Sequence, residues 1–150
     1  MITELNHTNI GIAHKIHEVF QVSYMVEAKL LNAKDFPPLK RSIEDLLNAE
    51  SEFYGYHDGT TIVAVLEVKS EEEVTHIQSL VVDPQFFRKG IASKLLDFLF
   101  TSFESSLFTV ETGAENKPAI ALYERFGFEK VQQWMTEVGI EKVRFSLKPN

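Results

Sequence analysis

Leu80-Val81-Val82-Asp83-Pro84-Gln85-Phe86-Phe87-Arg88-Lys89-Gly90-Ile91-Ala92-Ser93-Lys94-Leu95-Leu96 is the stretch on which the fold turns. An apolar strand runs into Asp-Pro, a short loop follows, and a helix starts at a glycine and then a small alanine. The first turn of a helix has N–H groups with no intrahelical acceptor, and these sit at the positive end of the helix dipole. Loop and first turn together therefore form a nest for an anion, most naturally a phosphate. Gly90 lets the backbone approach closely and Ala92 adds little bulk. Arg88, Lys89 and Lys94 gather positive charge on a chain whose formal net charge is −7. The stretch is neither a Walker A loop nor a dinucleotide fingerprint. It lacks the Gly-Lys-Ser/Thr ending of the first and the three glycines of the second.

Val74–Asp83 reads as the strand entering the loop, and Ile91–Phe103 as the helix leaving it, with Ile91, Leu95, Leu96, Phe98, Leu99 and Phe103 inward. Upstream, Phe53–His57 and Thr61–Lys69 are β-rich runs joined by Asp58-Gly59, a two-residue hairpin signal. The run Ile62–Leu66 is apolar on both faces, which predicts a central strand covered on both sides. Farther upstream, Ile12, Ile16, Val19, Ser23, Val26 and Leu30 fall three or four apart, predicting an amphipathic helix over 9–31 with Asn9 as its N-cap. A shorter helix is expected near 40–49, opened by Ser42. Downstream, Leu107–Glu111 reads as a strand, and Asn116–Phe126 as a helix with Pro118 in its first turn and Gly127 ending it. Phe128–Val138 and Ile140–Leu147 read as a final hairpin about Gly139. The order is helix, helix, three strands, helix, strand, helix, two strands. That order predicts an α/β (α+β mixed) fold, with a mixed central sheet of about six to seven strands flanked by about four helices, in one domain over 1–150.

Composition narrows the function classes. The chain is 44% hydrophobic and 25% charged, as soluble globular proteins are. It has no cysteine, so disulfides, thiolate zinc sites and a cysteine nucleophile are excluded. The acidic balance argues against nucleic acid and favours, mildly, a cationic substrate. No run of about 18 apolar residues occurs, so no membrane partner is expected. The N-terminus does not read as a signal peptide, and a cytoplasmic protein is the expectation. His14, His17 and Glu18 lie at polar positions of the first helix without further ligands at metal spacing, so no metal is expected.

A second motif stands downstream: Asn116-Lys117-Pro118-Ala119-Ile120-Ala121-Leu122-Tyr123-Glu124-Arg125-Phe126-Gly127-Phe128-Glu129. Together with the loop it resembles the GNAT (Gcn5-related N-acetyltransferase) family. The loop is similar to that family's Gln/Arg-x-x-Gly-x-Gly/Ala pattern, and the later segment to its Asn, Ala, Tyr, Gly-Phe signature. The match covers roughly residues 77–130, with one departure: Phe87 stands where the pattern has Gln or Arg.

The resemblance implies an N-acetyltransferase that moves an acetyl group from acetyl-CoA to a primary amine by direct attack in a ternary complex. In that reading Leu80, Val81 and Val82 lie on a splayed strand, whose backbone pairs with the pantetheine arm. The Val82 N–H polarises the thioester carbonyl. Phe87, Arg88, Lys89, Gly90, Ile91, Ala92 and Ser93 hold the pyrophosphate through main-chain N–H groups. Asn116 bonds near the pantetheine, and Tyr123 protonates the leaving thiolate, a role that suits a phenol. For the general base, His76 falls where one branch of the family has a glutamate. It shares with Gln78, Leu80 and Val82 one face of an alternating strand. Glu67, Glu111 or a water chain are the alternatives. Glu27, Asp35 and Phe36 lie where the family shapes its acceptor site. The partner implied is a small-molecule or peptide amine, and a homodimer is compatible with the resemblance. The competing expectation is a non-catalytic acyl-CoA-binding sensor or interaction module of the same fold.

Overall fold

The structure is a computed structural model, and it describes residues 1–149. Along the chain it forms β1 (Ile2–Leu5), α1 (Ile10–Leu30), α2 (Ile43–Leu47), β2 (Glu52–Asp58), β3 (Thr61–Glu71), β4 (Val74–Val82), α3 (Ile91–Ser102), β5 (Leu107–Gly113), α4 (Lys117–Arg125), β6 (Glu129–Met135) and β7 (Glu141–Leu147). The local signals that start and stop these elements act as expected. Asn9 accepts from the Ile12 N–H and opens α1. Ser42 and Asp45 close a reciprocal capping box on α2. Gly59 turns the β2–β3 hairpin at φ 62°, and Gly127 takes φ 98° just past α4.

Three expectations are corrected. Ile2–Leu5 is a strand, registered antiparallel on β2 from Ile2↔Tyr56 to Leu5↔Phe53. It is too short to display a period of its own and depends on its partner. The helix expected near 40–49 is opened by Ser42 as expected but is shorter, Ile43–Leu47, and a 3₁₀ turn at Pro37–Lys40 precedes it. On α1 the buried seam is Ala13, Ile16, Val19 and Phe20, while Leu30, placed on that seam by spacing, is exposed.

The strands form one mixed sheet in the order β1-β2-β3-β4-β5-β7-β6. The final hairpin thus inserts β7 beside β5 and leaves β6 on the edge. β3 is buried without interruption from Ile62 to Val68, as a strand covered on both faces must be. Its Ala64, Leu66 and Val68 join the apolar cluster containing α3 and Tyr123 of α4. Ile62 and Val65 join the cluster under α1 and α2.

One irregularity positions the site. β4 pairs with β3 through Glu67↔Ser79 and Val68↔Ile77, which leaves Gln78 as an extra, unpaired residue. Such a bulge bends its strand and raises the local twist. On the other side β4 pairs parallel with β5 only from Val74↔Leu107 to Ile77↔Val110. Beyond the bulge the two strands diverge. The bulge also resets the alternation. Leu80 and Val82 pack on the α3 side with Ile77. His76, opposite Lys69, shares the other face with Ser79, opposite Glu67. The expectation that His76, Gln78, Leu80 and Val82 lie on one face is therefore corrected.

Candidate active site

The loop after β4 is built from local rules. The Asp83 side chain accepts from the Gln85 N–H at 2.9 Å and opens a 3₁₀ turn at Pro84–Phe86, where proline needs no hydrogen-bond acceptor. Arg88 (φ 65°) and Gly90 (φ 74°) then take left-handed conformations, and Gly90 is the N-cap of α3. The last loop N–H to find an acceptor is that of Phe87, on Pro84 O. The next along the chain is that of Lys94, on Gly90 O. Among the described residues, the backbone N–H groups of residues 88–93 have no intramolecular acceptor. This is the geometry of an anion nest at a helix N-terminus. A Cβ built at Gly90 meets nothing within 4 Å, so the left-handed backbone, not crowding, is what calls for glycine here.

Phe87 is 43% exposed and brings no polar contact. Charge comes from elsewhere: Arg125, in the last turn of α4, reaches Ser93 Oγ with its Nη2 at 3.4 Å. The sequence reading missed Arg125, although it lies inside the second motif.

Where β4 and β5 part, a cleft of about 310 Å³ passes through the sheet. Ser79 and Leu80 line one side of the gap, Glu111 and Thr112 the other. Tyr24, Glu27 and Phe36 close it from the α1 face, and Asn116, Ala119 and Tyr123 from the α4 face. Leu80, Val81 and Val82 pair with β3 on one edge, and their other edge has no strand partner. An extended ligand can add to such an edge as a further strand would.

Tyr123 is 5% exposed and packs edge-on against Phe128 at 5.5 Å. Its hydroxyl has no hydrogen-bond partner among the described residues, yet no buried side-chain polar atom is sealed without one, so this oxygen opens to the cleft. Burial, and then the charge of Glu27, push its pKa above the ordinary phenol range. The group is held as a proton donor.

Asn116 caps α4 by accepting from the Ala119 N–H at 3.3 Å. Its Nδ2 donates to Glu27 Oε1 at 3.0 Å and to Thr112 Oγ1 at 3.3 Å. Its side chain is thus engaged by the protein on every atom. Burial raises the Glu27 carboxyl above its usual value, partly offset by Lys142 and by Asn116.

The other expected residues are distributed differently. His76 binds Thr109 Oγ1 through Nδ1 at 2.7 Å, and its pKa is lowered by burial and by Arg144. It lines a surface hollow with Lys69, Glu71 and Gln78 and does not line the cleft that holds Tyr123, although Gln78 borders both. Glu67 is fully buried. Arg41 clamps it with bonds of 2.6 and 2.8 Å, and Ser51 and Ser79 donate to it as well. Glu111 lines the cleft but carries Arg144 at 2.6 Å and Lys142 at 3.5 Å. Phe36 lines the cleft as expected, whereas Asp35 is exposed and paired with Lys40. No helix among the described residues is long and apolar enough to cross a membrane.

The splayed strands, the nest and the phenol are the features implied by the sequence resemblance, and comparison with known proteins shows the family. Residues 13–128 match the acetyltransferase (GNAT) family. The chain belongs to that family. It is also similar to UPF0157 protein YqkA of Bacillus subtilis (strain 168), at 30% identity over 99% of this chain and 44% of that protein. It is 38% identical to an N-alpha-acetyltransferase of Saccharolobus solfataricus over 38% of this chain and 36% of that protein. The chain spans less than half the length of the curated relatives it matches. Among solved structures it superposes on the ribosomal-protein-S18-alanine N-acetyltransferase from Escherichia coli with a TM-score of 0.77 at 19% identity, covering 99% of this chain and 92% of that one. It matches the PaiA N-acetyltransferase from Thermoplasma acidophilum, solved in complex with coenzyme A, with the same TM-score at 17% identity, covering 99% and 98%. The seven-stranded mixed sheet with its four helices is thus the GNAT fold.

Proposed function

We propose that this GNAT chain is an acyl-CoA-dependent N-acyltransferase that moves an acetyl group from acetyl-CoA to a primary amine while both are bound. The observation that carries this reading is the Tyr123 hydroxyl: buried, without a protein partner, and open to the cleft between the diverging strands. A module that only sensed acyl-CoA would have no need of a proton donor kept protonated at that point.

The residues present fit the donor. The N–H groups of residues 88–93, with Arg125 beside Ser93, would hold its pyrophosphate, and the free edge of Leu80–Val82 would pair with its extended arm. The donor supplies an activated thioester. The chain supplies alignment, which converts a bimolecular reaction into an oriented one, and a proton at the sulfur from Tyr123 as the C–S bond breaks. Asn116 fixes the start of the helix that carries Tyr123. The coenzyme A complex of one structural neighbour supports the donor, and the names of a second structural neighbour, a ribosomal-protein-S18-alanine N-acetyltransferase, and of a relative, an N-alpha-acetyltransferase, support an amine acceptor.

Titration calorimetry of the protein with acetyl-CoA, using ATP as comparator, tests the reading. Micromolar affinity for acetyl-CoA and at least about tenfold weaker binding of ATP are expected, a gap of about 1.4 kcal/mol. Thiol release in a panel of primary amines should follow. Absence of acetyl-CoA binding at millimolar concentration rejects the donor assignment. Tight binding without thiol release in any amine favours the sensor instead.

A further inference from the structure

We propose that Glu27 is a catalytic residue of the acceptor side: its free carboxylate oxygen receives the incoming amine as an ammonium ion and takes its proton, so that the acceptor is a primary amine carried on an apolar stem. The proposal rests on the N-acyltransferase reading above and names the half of the reaction that reading leaves open.

Three observations converge on Glu27. The first is its placement. The Leu31 side chain, just past the end of α1, packs over Gly113 at the end of β5, where a Cβ would stand 2.3 Å from Leu31 Cδ2. Glu27, one turn earlier on α1, lines the gap between β4 and β5.

The second is its bonding. Oε1 accepts from Asn116, the cap of the helix that carries Tyr123, so one rigid element orients both the proton donor and the proton acceptor. Oε2 has no hydrogen bond or ion pair among the described residues, and it is not sealed from the cleft.

The third is the state of its rivals. Glu67 is saturated by Arg41 and two serines, Glu111 already carries two cations, and His76 opens elsewhere. Glu27 is therefore the carboxylate in the cleft with an unused acceptor.

The groups facing it are Tyr24 on its own helix, Tyr123 and Asn116 across the gap, Glu111 on β5 and Lys142 on β7. Their balance leaves burial as the larger influence, and burial raises the basicity of the carboxylate. Phe36, Pro37, Val138 and Ile140 line the same cleft and give the stem of the amine apolar contact.

The step balances. The ammonium loses one proton to Glu27 Oε2, and the freed lone pair forms the C–N bond. The C–S bond breaks and its sulfur takes the Tyr123 proton. The nitrogen's second proton restores the phenol, and Glu27 releases its proton to solvent. The products are an amide, a thiol and one proton.

The test uses the protein with ¹³C-labelled glutamate carboxyls, saturated with CoA, and n-butylammonium as probe. The Glu27 resonance, assigned by its loss in Glu27→Gln, is expected to shift on adding n-butylammonium and to stay in place with 1-butanol. The Glu27→Gln protein should bind CoA unchanged and n-butylammonium at least about tenfold more weakly. If CoA binds but the amine leaves the wild-type Glu27 signal unmoved, or binds Glu27→Gln equally well, the assignment to Glu27 is overturned and the donor reading stands. If CoA itself fails to bind, both fall. Where Glu27→Gln folds poorly, Glu27→Asp gives the same assignment by removing one labelled glutamate signal, and the wild-type spectrum then decides.

Discussion

The two sides of the proposed site are made of different material. The side proposed for the donor, the donor wall, is main chain: the N–H groups of residues 88–93 beyond the cleft and the free edge of β4, backed by the apolar cluster under α3. The side proposed for the acceptor, the acceptor wall, is side chain: Glu27 on Asn116, Tyr24 on Ser79, and Ser79 on a buried Glu67 that Arg41 and Ser51 also hold. A wall of backbone tolerates a change of side chain, which is why Phe87 can stand at a position that resembles a Gln/Arg site. A wall of interlocked side chains tolerates little, because each partner removed strands another in a low-dielectric interior.

The largest effect expected from this contrast is in stability. Arg41→Met leaves the fully buried Glu67 with only its two serine donors, and breaking a buried ion pair in this way costs about 3–5 kcal/mol. Urea denaturation should show that loss, whereas Phe87→Ala on the donor wall should stay within about 0.5 kcal/mol. The double change Arg41→Met with Glu67→Leu should recover much of the deficit, since a buried pair is often replaceable by apolar groups. A single change that costs as little as the surface control would break the contrast.

On the donor wall the sensitive point is conformation. Gly90 sits at φ 74°, where a β-branched residue is strained by about 1–2 kcal/mol, and relieving that strain would reorient the N–H groups that follow it. Gly90→Val is expected to weaken acetyl-CoA binding about 100-fold, or 2.7 kcal/mol. Phe87→Ala should change it less than about threefold, near 0.6 kcal/mol. Equal losses would mean that side chains matter on this wall as well.

Tyr123→Phe probes the junction of the two walls. Turnover should fall about 10–100-fold, with acetyl-CoA affinity unchanged, because the ring keeps its packing on Phe128 and Phe145 while the proton donor is lost. Since the phenol's pKa lies above its ordinary value, the wild-type rate should show no alkaline limb from this group up to about pH 10. A limb below that pH, absent from the variant, would assign Tyr123 a different protonation state.

The same division explains what the sequence discloses. The donor wall is contiguous, so Asp83 to Ser93 displays its loop, caps and glycine in one reading. The hairpin at Asp58-Gly59 and the buried run of β3 are local too. The acceptor wall is assembled across the chain: Glu27 meets Asn116 over 89 residues and Tyr24 meets Ser79 over 55. No periodicity within either segment reports such a meeting. His76 is reached by counting back from Gly90, as the resemblance implies, and its place on one face with Leu80 and Val82 presumes strict alternation. The bulge at Gln78 breaks that alternation. The strand at Ile2–Leu5 and the insertion of β7 beside β5 are likewise settled by partners far away in sequence.

The smallest effect sharpens the comparison most directly, because function and stability should move in opposite directions. Glu27 has its carboxyl pKa raised in the folded chain, mainly by burial. The folded state therefore holds that proton more tightly than the unfolded state does. Stability from this group is fully present below the unfolded value of about 4.3 and declines as pH rises through the folded value. Glu27→Gln removes the cost of keeping a charge there while retaining an oxygen for Asn116. The variant should melt above the wild type at pH 8, with the gap closing as pH falls to about 4. The pH-dependent melting curves of the two proteins check this. A wild type that melts above the variant at pH 8 would mean that the carboxylate is stabilised where it sits, and so is a poor receiver of protons.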